Sequence, residues 1–85
     1  MIEKKYTVSF PEGLHARPAK ALVELARQVD SAITVKSEHG SSNGKNILSV
    51  MALQASKGAK LDITIDGPDE KEVKEKMDEF FLAEL

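Results

Sequence analysis

The sequence predicts an α/β (α+β) fold in which three helices cover one face of a small sheet, in the order βαββαβα. Three observations carry this. Apolar and polar residues alternate over short stretches at 2–10, 31–37 and 60–66, and apolar residues recur at helical spacing over 16–29 and 69–85. Each helix has only one apolar stripe, so all of them need the same sheet face.

In the first strand Ile2, Tyr6, Val8 and Phe10 share one parity, and Lys5, Thr7 and Ser9 hold the other. Pro11-Glu12-Gly13 interrupts it. From Ala16 to about Val29, Ala19, Leu22, Val23, Ala26 and Val29 form a stripe, with Lys20, Glu24 and Arg27 on another side. Pro18 suits the first turn, where a missing amide proton matters least, so His15 or Ala16 lies at the helix entrance. Ile33 and Val35 mark a second strand, and the Gly/Ser/Asn-rich segment from Glu38 to Gly44 suits a turn and a short third strand. Asn43-Gly44 alone suggests a hairpin, but the spacing of Ile47, Leu48, Val50, Met51 and Leu53 favours a short helix after it. Leu61, Ile63 and Ile65 face inward from a half-buried strand that Gly67-Pro68 ends. The last helix, Asp69 to Leu85, places Val73, Met77, Phe80 and Phe81 on its apolar stripe and Asp69, Glu70 and Glu72 at the positive end of its dipole.

Composition narrows the function classes. At 85 residues the chain suits one domain, 1–85, with no room to bury a large cofactor, so any site lies near the surface. There is no cysteine, and two widely separated histidines without a carboxylate cluster give no metal set. No apolar run approaches a membrane span, and the polar N-terminal alternation is unlike a signal peptide, so a cytoplasmic location is expected. The net charge of -2 conceals a division: residues 1–60 hold nine Lys/Arg against five Asp/Glu, and residues 61–85 hold three against nine. Two arginines and one tyrosine make no nucleic-acid surface, whereas a local basic patch around His15 can steer an acidic protein partner.

The chemistry centres on Gly13-Leu14-His15-Ala16-Arg17-Pro18-Ala19. A neutral imidazole is nucleophilic, and histidine ordinarily titrates close enough to neutrality for that form to be populated. A helix mouth offers backbone donors around Ala16 to Ala19, Pro18 excepted, and Arg17 adds a cation able to bind phosphate. Together these residues can accept and orient a phosphoryl group. From the residues alone, His15 can equally cap or pack at the helix start, with Arg17 solvating the first turn, or serve as a general base. A metal-ligand role shared with His39 is disfavoured, and His39 reads as a turn residue.

The 13–19 motif, together with Ser49-Val50-Met51-Ala52-Leu53, Lys57-Gly58-Ala59 and the complete alternation of elements, resembles the HPr phosphocarrier family of the phosphoenolpyruvate-dependent sugar phosphotransferase system. The resemblance spans essentially the whole chain. It implies an open-faced β-sandwich with three helices over a four-stranded antiparallel sheet. It also implies phosphorylation of His15 on Nδ1, phosphate binding by Arg17, and Pro18 as the helix-start proline. Enzyme I would donate the phosphoryl group and a sugar-specific EIIA domain would receive it. Such a protein is a relay rather than an independently turning-over enzyme, needs no cofactor, and is expected to be monomeric.

Partner docking is expected around the short helix, where Ile47, Leu48 and Met51 form an apolar projection, with Lys20, Glu24, Arg27 and Lys45 as rim positions. One departure from the family stands out. Many Gram-positive members carry a regulatory serine where this chain has Asn46, which has no hydroxyl for an HPr kinase to phosphorylate and suits a helix cap instead. Ser41, Ser42 and Ser49 do not inherit that role by proximity. Two neighbouring readings keep the scaffold: a carrier for a nitrogen-regulatory or dihydroxyacetone branch, and a regulatory binding module without transfer. An unrelated small structural protein would carry no phosphohistidine.

Overall fold

In a computed structural model that describes residues 1–82, the elements are β1 (Ile2–Thr7), α1 (Ala16–Arg27), β2 (Ala32–Ser37), β3 (Gly40–Asn43), α2 (Ile47–Met51), β4 (Lys60–Asp66) and α3 (Glu70–Leu82). The strands form one sheet in the order β1-β4-β2-β3, and every neighbouring pair is antiparallel. Tyr6 lies opposite Leu61, Ile2 opposite Ile65, and Val35 opposite both Ile63 and Ser42. The period of two therefore sends Tyr6, Ile33, Val35, Leu61, Ile63 and Ile65 to one face, where all are buried. Lys5, Thr7, Lys36 and Ser41 occupy the open face and are exposed.

The helices close over that apolar face as their stripes require. Helix α1 buries Pro18, Ala19, Leu22, Val23 and Ala26, and α3 buries Val73, Met77 and Phe81. Each large side chain so buried contributes about 1.5–3 kcal/mol relative to exposure. Tyr6 stacks on Phe81 at 4.5 Å between ring centroids, and Phe10 meets Phe80 edge-on at 5.5 Å. A polar lock reinforces this aromatic seam. The Asp78 carboxylate accepts from the Tyr6 hydroxyl at 2.6 Å, from Lys4 at 2.7 Å and from Lys74 at 2.9 Å. Lys4 foremost, with Tyr6 and Lys74, holds the Asp78 carboxyl far below the usual carboxylate range, while burial and Asp78 raise the Tyr6 phenol. Asp69 forms a second lock, accepting from the backbone amides of Asp30 and Ser31 and from the Ser31 hydroxyl. Those bonds, the Ser31 hydroxyl first, lower its carboxyl from the ordinary value.

Three element boundaries differ from the periodicity, each for a packing reason. Strand β1 stops at Thr7, yet Val8 and Phe10 stay buried because Val8 exchanges backbone hydrogen bonds with Ala59 and Gly58 instead of a strand neighbour. Helix α1 ends at Arg27, with Gln28 as its cap, and Val29 packs inward from the following turn. Helix α2 ends at Met51 because the chain turns at Gln54 to drive Leu53 and Ala55 into the core. The part of the last helix expected at 83–85 lies outside the described residues. Among the described residues no helix is long and apolar enough to cross a membrane.

Candidate functional site

His15 is the N-cap residue of α1, with extended backbone (φ -84°, ψ -169°). Its carbonyl accepts the Ala19 amide at 2.9 Å, which closes the first helical turn. Its side chain makes no capping hydrogen bond and is half-buried, so the ring is placed at the helix mouth but not consumed there. The preceding loop explains why the placement is firm. Gly13 adopts φ +74°, its amide is held by the Phe10 carbonyl at 2.9 Å, and its carbonyl accepts the His15 amide at 2.9 Å. Leu14 is buried, and its amide donates to the Ala55 carbonyl at 2.8 Å. A Cβ on Gly13 would lie 2.6 Å from that same carbonyl oxygen, so only glycine permits this approach.

The first turn offers fewer donors than the residue pattern implies. Pro18 has no amide proton, and it is buried. Ala19 was expected to support phosphate, but its amide is already committed to the His15 carbonyl. Ala16 and Arg17 remain as the first-turn amides without an intrahelical partner. The Arg17 side chain is exposed, and it lines a shallow depression with Pro11, Glu12 and His15. Glu12 Oε2 stands 3.9 Å from His15 Nε2, a charge contact if the ring is protonated and too long for a hydrogen bond.

Helix α2 packs beside α1 and presents the second expected surface. Asn46 caps it, its side chain accepting the Ser49 amide at 3.1 Å. Val50 anchors the helix in the core and Ile47 is half-buried, whereas Leu48 is 77% exposed and Met51 39% exposed. The last two are thus free to meet another surface. Rim residues divide more sharply. Lys20 is exposed; Arg27 Nε donates to the Lys45 carbonyl at 2.9 Å, and Lys45 Nζ donates to the Val29 carbonyl at 3.0 Å, tying α1 to the start of α2. Glu24 was grouped with this rim, but it lines the groove between α1 and α3 with Lys76, Glu79 and Phe80. Helical spacing puts Lys20, Glu24 and Arg27 on one side of α1, but it does not reveal which neighbour each approaches.

Residue patterns also passed over the 54–58 loop as part of the site. Nothing in the periodicity marks Ala55 as the seat of the His15 loop, since its contribution is a backbone carbonyl. The only available signal is Gly13 in front of the histidine.

Residues 2–83 match the family described as the PTS HPr component phosphorylation site. The chain belongs to the HPr family. Relatives within this family of phosphotransferase-system phosphocarriers agree along most of its length. The phosphocarrier protein HPr of Lysinibacillus sphaericus is 41% identical over 70 residues, covering 82% of this chain and 80% of the relative. That of Xylella fastidiosa is 36% identical over 81 residues, 95% of this chain and 91% of the relative. The crystal structure of HPr from Bacillus anthracis aligns with a TM-score of 0.88 at 30% identity, covering 94% of this chain and 95% of the other. The HPr fold, a four-stranded antiparallel sheet under three helices, is therefore the fold of this chain, as the sequence resemblance implied.

Proposed function

We propose that this chain relays phosphoryl groups through His15, taking them from phosphorylated enzyme I and passing them to the EIIA domain of a sugar-specific permease. The observation that carries this reading is the state of the His15 side chain: fixed at a helix mouth by its backbone, free of any capping bond, and beside the exposed Arg17. In the forward step the Nδ1 lone pair attacks the donor's phosphorus as the donor's P–N bond breaks; in the second step the acceptor imidazole attacks and the His15 P–N bond breaks. The proton on Nε2 stays in place through the first step, and the Glu12 carboxylate opposes the positive charge the ring then carries. Arg17 and the amides of Ala16 and Arg17 supply donors to the phosphoryl oxygens. An exposed site suits two successive partners, each of which completes the transition-state electrostatics from its own side.

The exposed Leu48 and Met51 support docking of both partners in turn, with the exposed Lys20 as a rim charge. Asn46 spends its side chain on the α2 cap and has no hydroxyl, so the relay is not under phosphoserine control at that position.

The test is phosphotransfer from phosphoenolpyruvate through enzyme I, read by mass spectrometry under conditions that preserve acid-labile phosphohistidine, followed by addition of EIIA. Label on the wild type, none on a folded His15→Ala variant, and passage to EIIA are expected. Full labelling of His15→Ala would remove His15 from the reading. Label that passes only to acceptors of a nitrogen-regulatory or dihydroxyacetone system would move the protein to that branch. Arg17→Ala should slow transfer about tenfold without lowering the melting temperature, as loss of one charge-assisted contact implies.

A further inference from the structure

The depression at His15 is lined by Pro11, Glu12, His15 and Arg17, so among the described residues Glu12 is its one acidic side chain. Glu12 Oε2 stands 3.9 Å from His15 Nε2 on a side chain that is 80% exposed. The other charges around the ring have the opposite sign. His15 occupies the positive end of the α1 dipole, and Arg17 carries a permanent cation beside it. Beyond the depression, Lys20 one turn along α1 and Lys57 on the 54–58 loop are exposed cations as well. All of these disfavour a positive imidazole, and only Glu12 favours one.

The charge on the ring matters most when the phosphoryl group leaves. With Nδ1 phosphorylated, the remaining ring proton sits on Nε2, the atom that Glu12 faces. Breaking the P–N bond returns its electron pair to Nδ1. With the Nε2 proton in place the leaving group is a neutral imidazole; without it, the leaving group is an imidazolate, which departs far more slowly. The phosphoryl oxygens favour that proton, but in the relay reading Arg17 and the amides of Ala16 and Arg17 offset their charge.

We infer that Glu12 is a positioning residue of the outgoing transfer, its carboxylate keeping the Nε2 proton on phosphorylated His15 so that the P–N bond stays ready to break at neutral and mildly alkaline pH. This deepens the relay reading and rests on it. Glu12 acts through the ring and touches neither the phosphorus nor the acceptor. Unit charges about 4 Å apart in water, screened by physiological salt, change the protonated fraction about threefold. The same proton exposes the phosphoryl group to water, whose oxygen bonds to phosphorus as neutral imidazole departs and inorganic phosphate is released.

The experiment labels wild type and Glu12→Gln from phosphoenolpyruvate through enzyme I and removes the donor. Loss of phosphate to water is then followed from about pH 5 to about pH 9, on both sides of the ordinary histidine value of about 6.5. Glutamine keeps the shape of the side chain and removes its charge. At the alkaline end Glu12→Gln is expected to hold its phosphate about threefold longer and to pass it to EIIA with kcat lowered by about the same factor. At the acidic end, where both rings are protonated, the two proteins should lose phosphate at one rate. Salt at about 1 M, which shortens the screening length to about 3 Å, should shrink the alkaline difference. The inference is overturned if the two proteins decay alike across the range, if the variant decays faster at the alkaline end, if the difference is the same at every pH, if salt leaves it unchanged, or if transfer to EIIA does not slow. A wild type that takes no label would instead remove the relay reading, and this inference with it, so the two failures are separable.

Discussion

Gly13→Ala should damage both the fold and the transfer, and the size of the effect follows from the contacts around the loop. Alanine at φ +74° incurs about 1–2 kcal/mol of backbone strain, of which about 0.5–1 kcal/mol is offset because alanine is less flexible in the unfolded chain. A Cβ 2.6 Å from the Ala55 carbonyl oxygen and 2.8 Å from the Ser56 Cα cannot be accommodated, and both neighbours are backbone. Relief requires the 11–15 loop to lift, which breaks the 2.8 Å bond from the Leu14 amide to Ala55 and leaves a buried donor unpaired, worth about 1–3 kcal/mol. The sum is a destabilisation of about 2–4 kcal/mol, or a fall in melting temperature of about 10–25 °C for a domain of this size. Circular dichroism melts measure that quantity. Transfer, assayed well below the variant's melting point, should also slow, because the same lift carries His15 away from Ala16 and Arg17. Gly58→Ala is the internal control: it has φ +90° but nothing within 4 Å of an added Cβ, so it tests strain without the clash. If Gly13→Ala melts and transfers like Gly58→Ala, the seating of the loop on Ala55 does not position His15.

The remaining expectations concern stability. Asp78 has a folded-state pKa below its unfolded value, so its contribution is complete above the ordinary carboxylate range near pH 4 and is lost as pH falls below it; Asp78→Asn should cost about 1–2 kcal/mol at pH 7 and flatten the acid limb of a urea stability profile. Tyr6 has the opposite sign: its raised phenol stabilises the fold below pH 10 and progressively less above it, so Tyr6→Phe should lessen the alkaline decline, to which the raised Lys74 ammonium also contributes. Asn46→Ala should cost about 1 kcal/mol through loss of the α2 cap, read as a lower urea midpoint with an unchanged slope. Among the described residues the buried Ser42 hydroxyl has no hydrogen-bond partner, so Ser42→Ala should leave the melting temperature unchanged or raise it; a fall of more than about 5 °C would show that the hydroxyl is satisfied after all.

The layer order and sheet face were legible because they depend on side-chain period. The alternation of Leu61, Ile63 and Ile65 could be buried only one way, and the stripe from Ala19 to Val29 then had to lie over it. The proline at position 18 placed His15 at the helix mouth to within one residue. What periodicity did not reveal runs through the main chain: the Ala55 carbonyl that seats Leu14, the Ala19 amide already used by His15, and the left-handed turn at Gln54. Backbone donors and acceptors are common to every residue type, so sequence signals them only where a glycine or proline is obligatory. Position 54 is a glutamine, so nothing in the sequence marks the left-handed turn that follows the end of α2 at Met51. The Asp78 lock was hidden for another reason: Asp78 lies more than seventy positions from both Lys4 and Tyr6, and no local pattern links it to them.

These main-chain contacts also connect the two halves of the site. Helix α2 carries the exposed Leu48 and Met51, its exit runs through Gln54 to Ala55, and the Ala55 carbonyl holds the loop that ends in His15. A partner that presses on α2 therefore bears on the seat of the phosphoryl acceptor through three consecutive chain positions and one hydrogen bond. Docking and chemistry should consequently be separable by mutation only outside this path. Leu48→Ala changes a side chain that points away from it and should raise KM for a partner without altering the intrinsic rate at saturation. Gly13→Ala breaks the path itself and should lower kcat. If both variants changed KM alone, the Ala55 contact would be structural and the histidine would be positioned by the helix cap by itself.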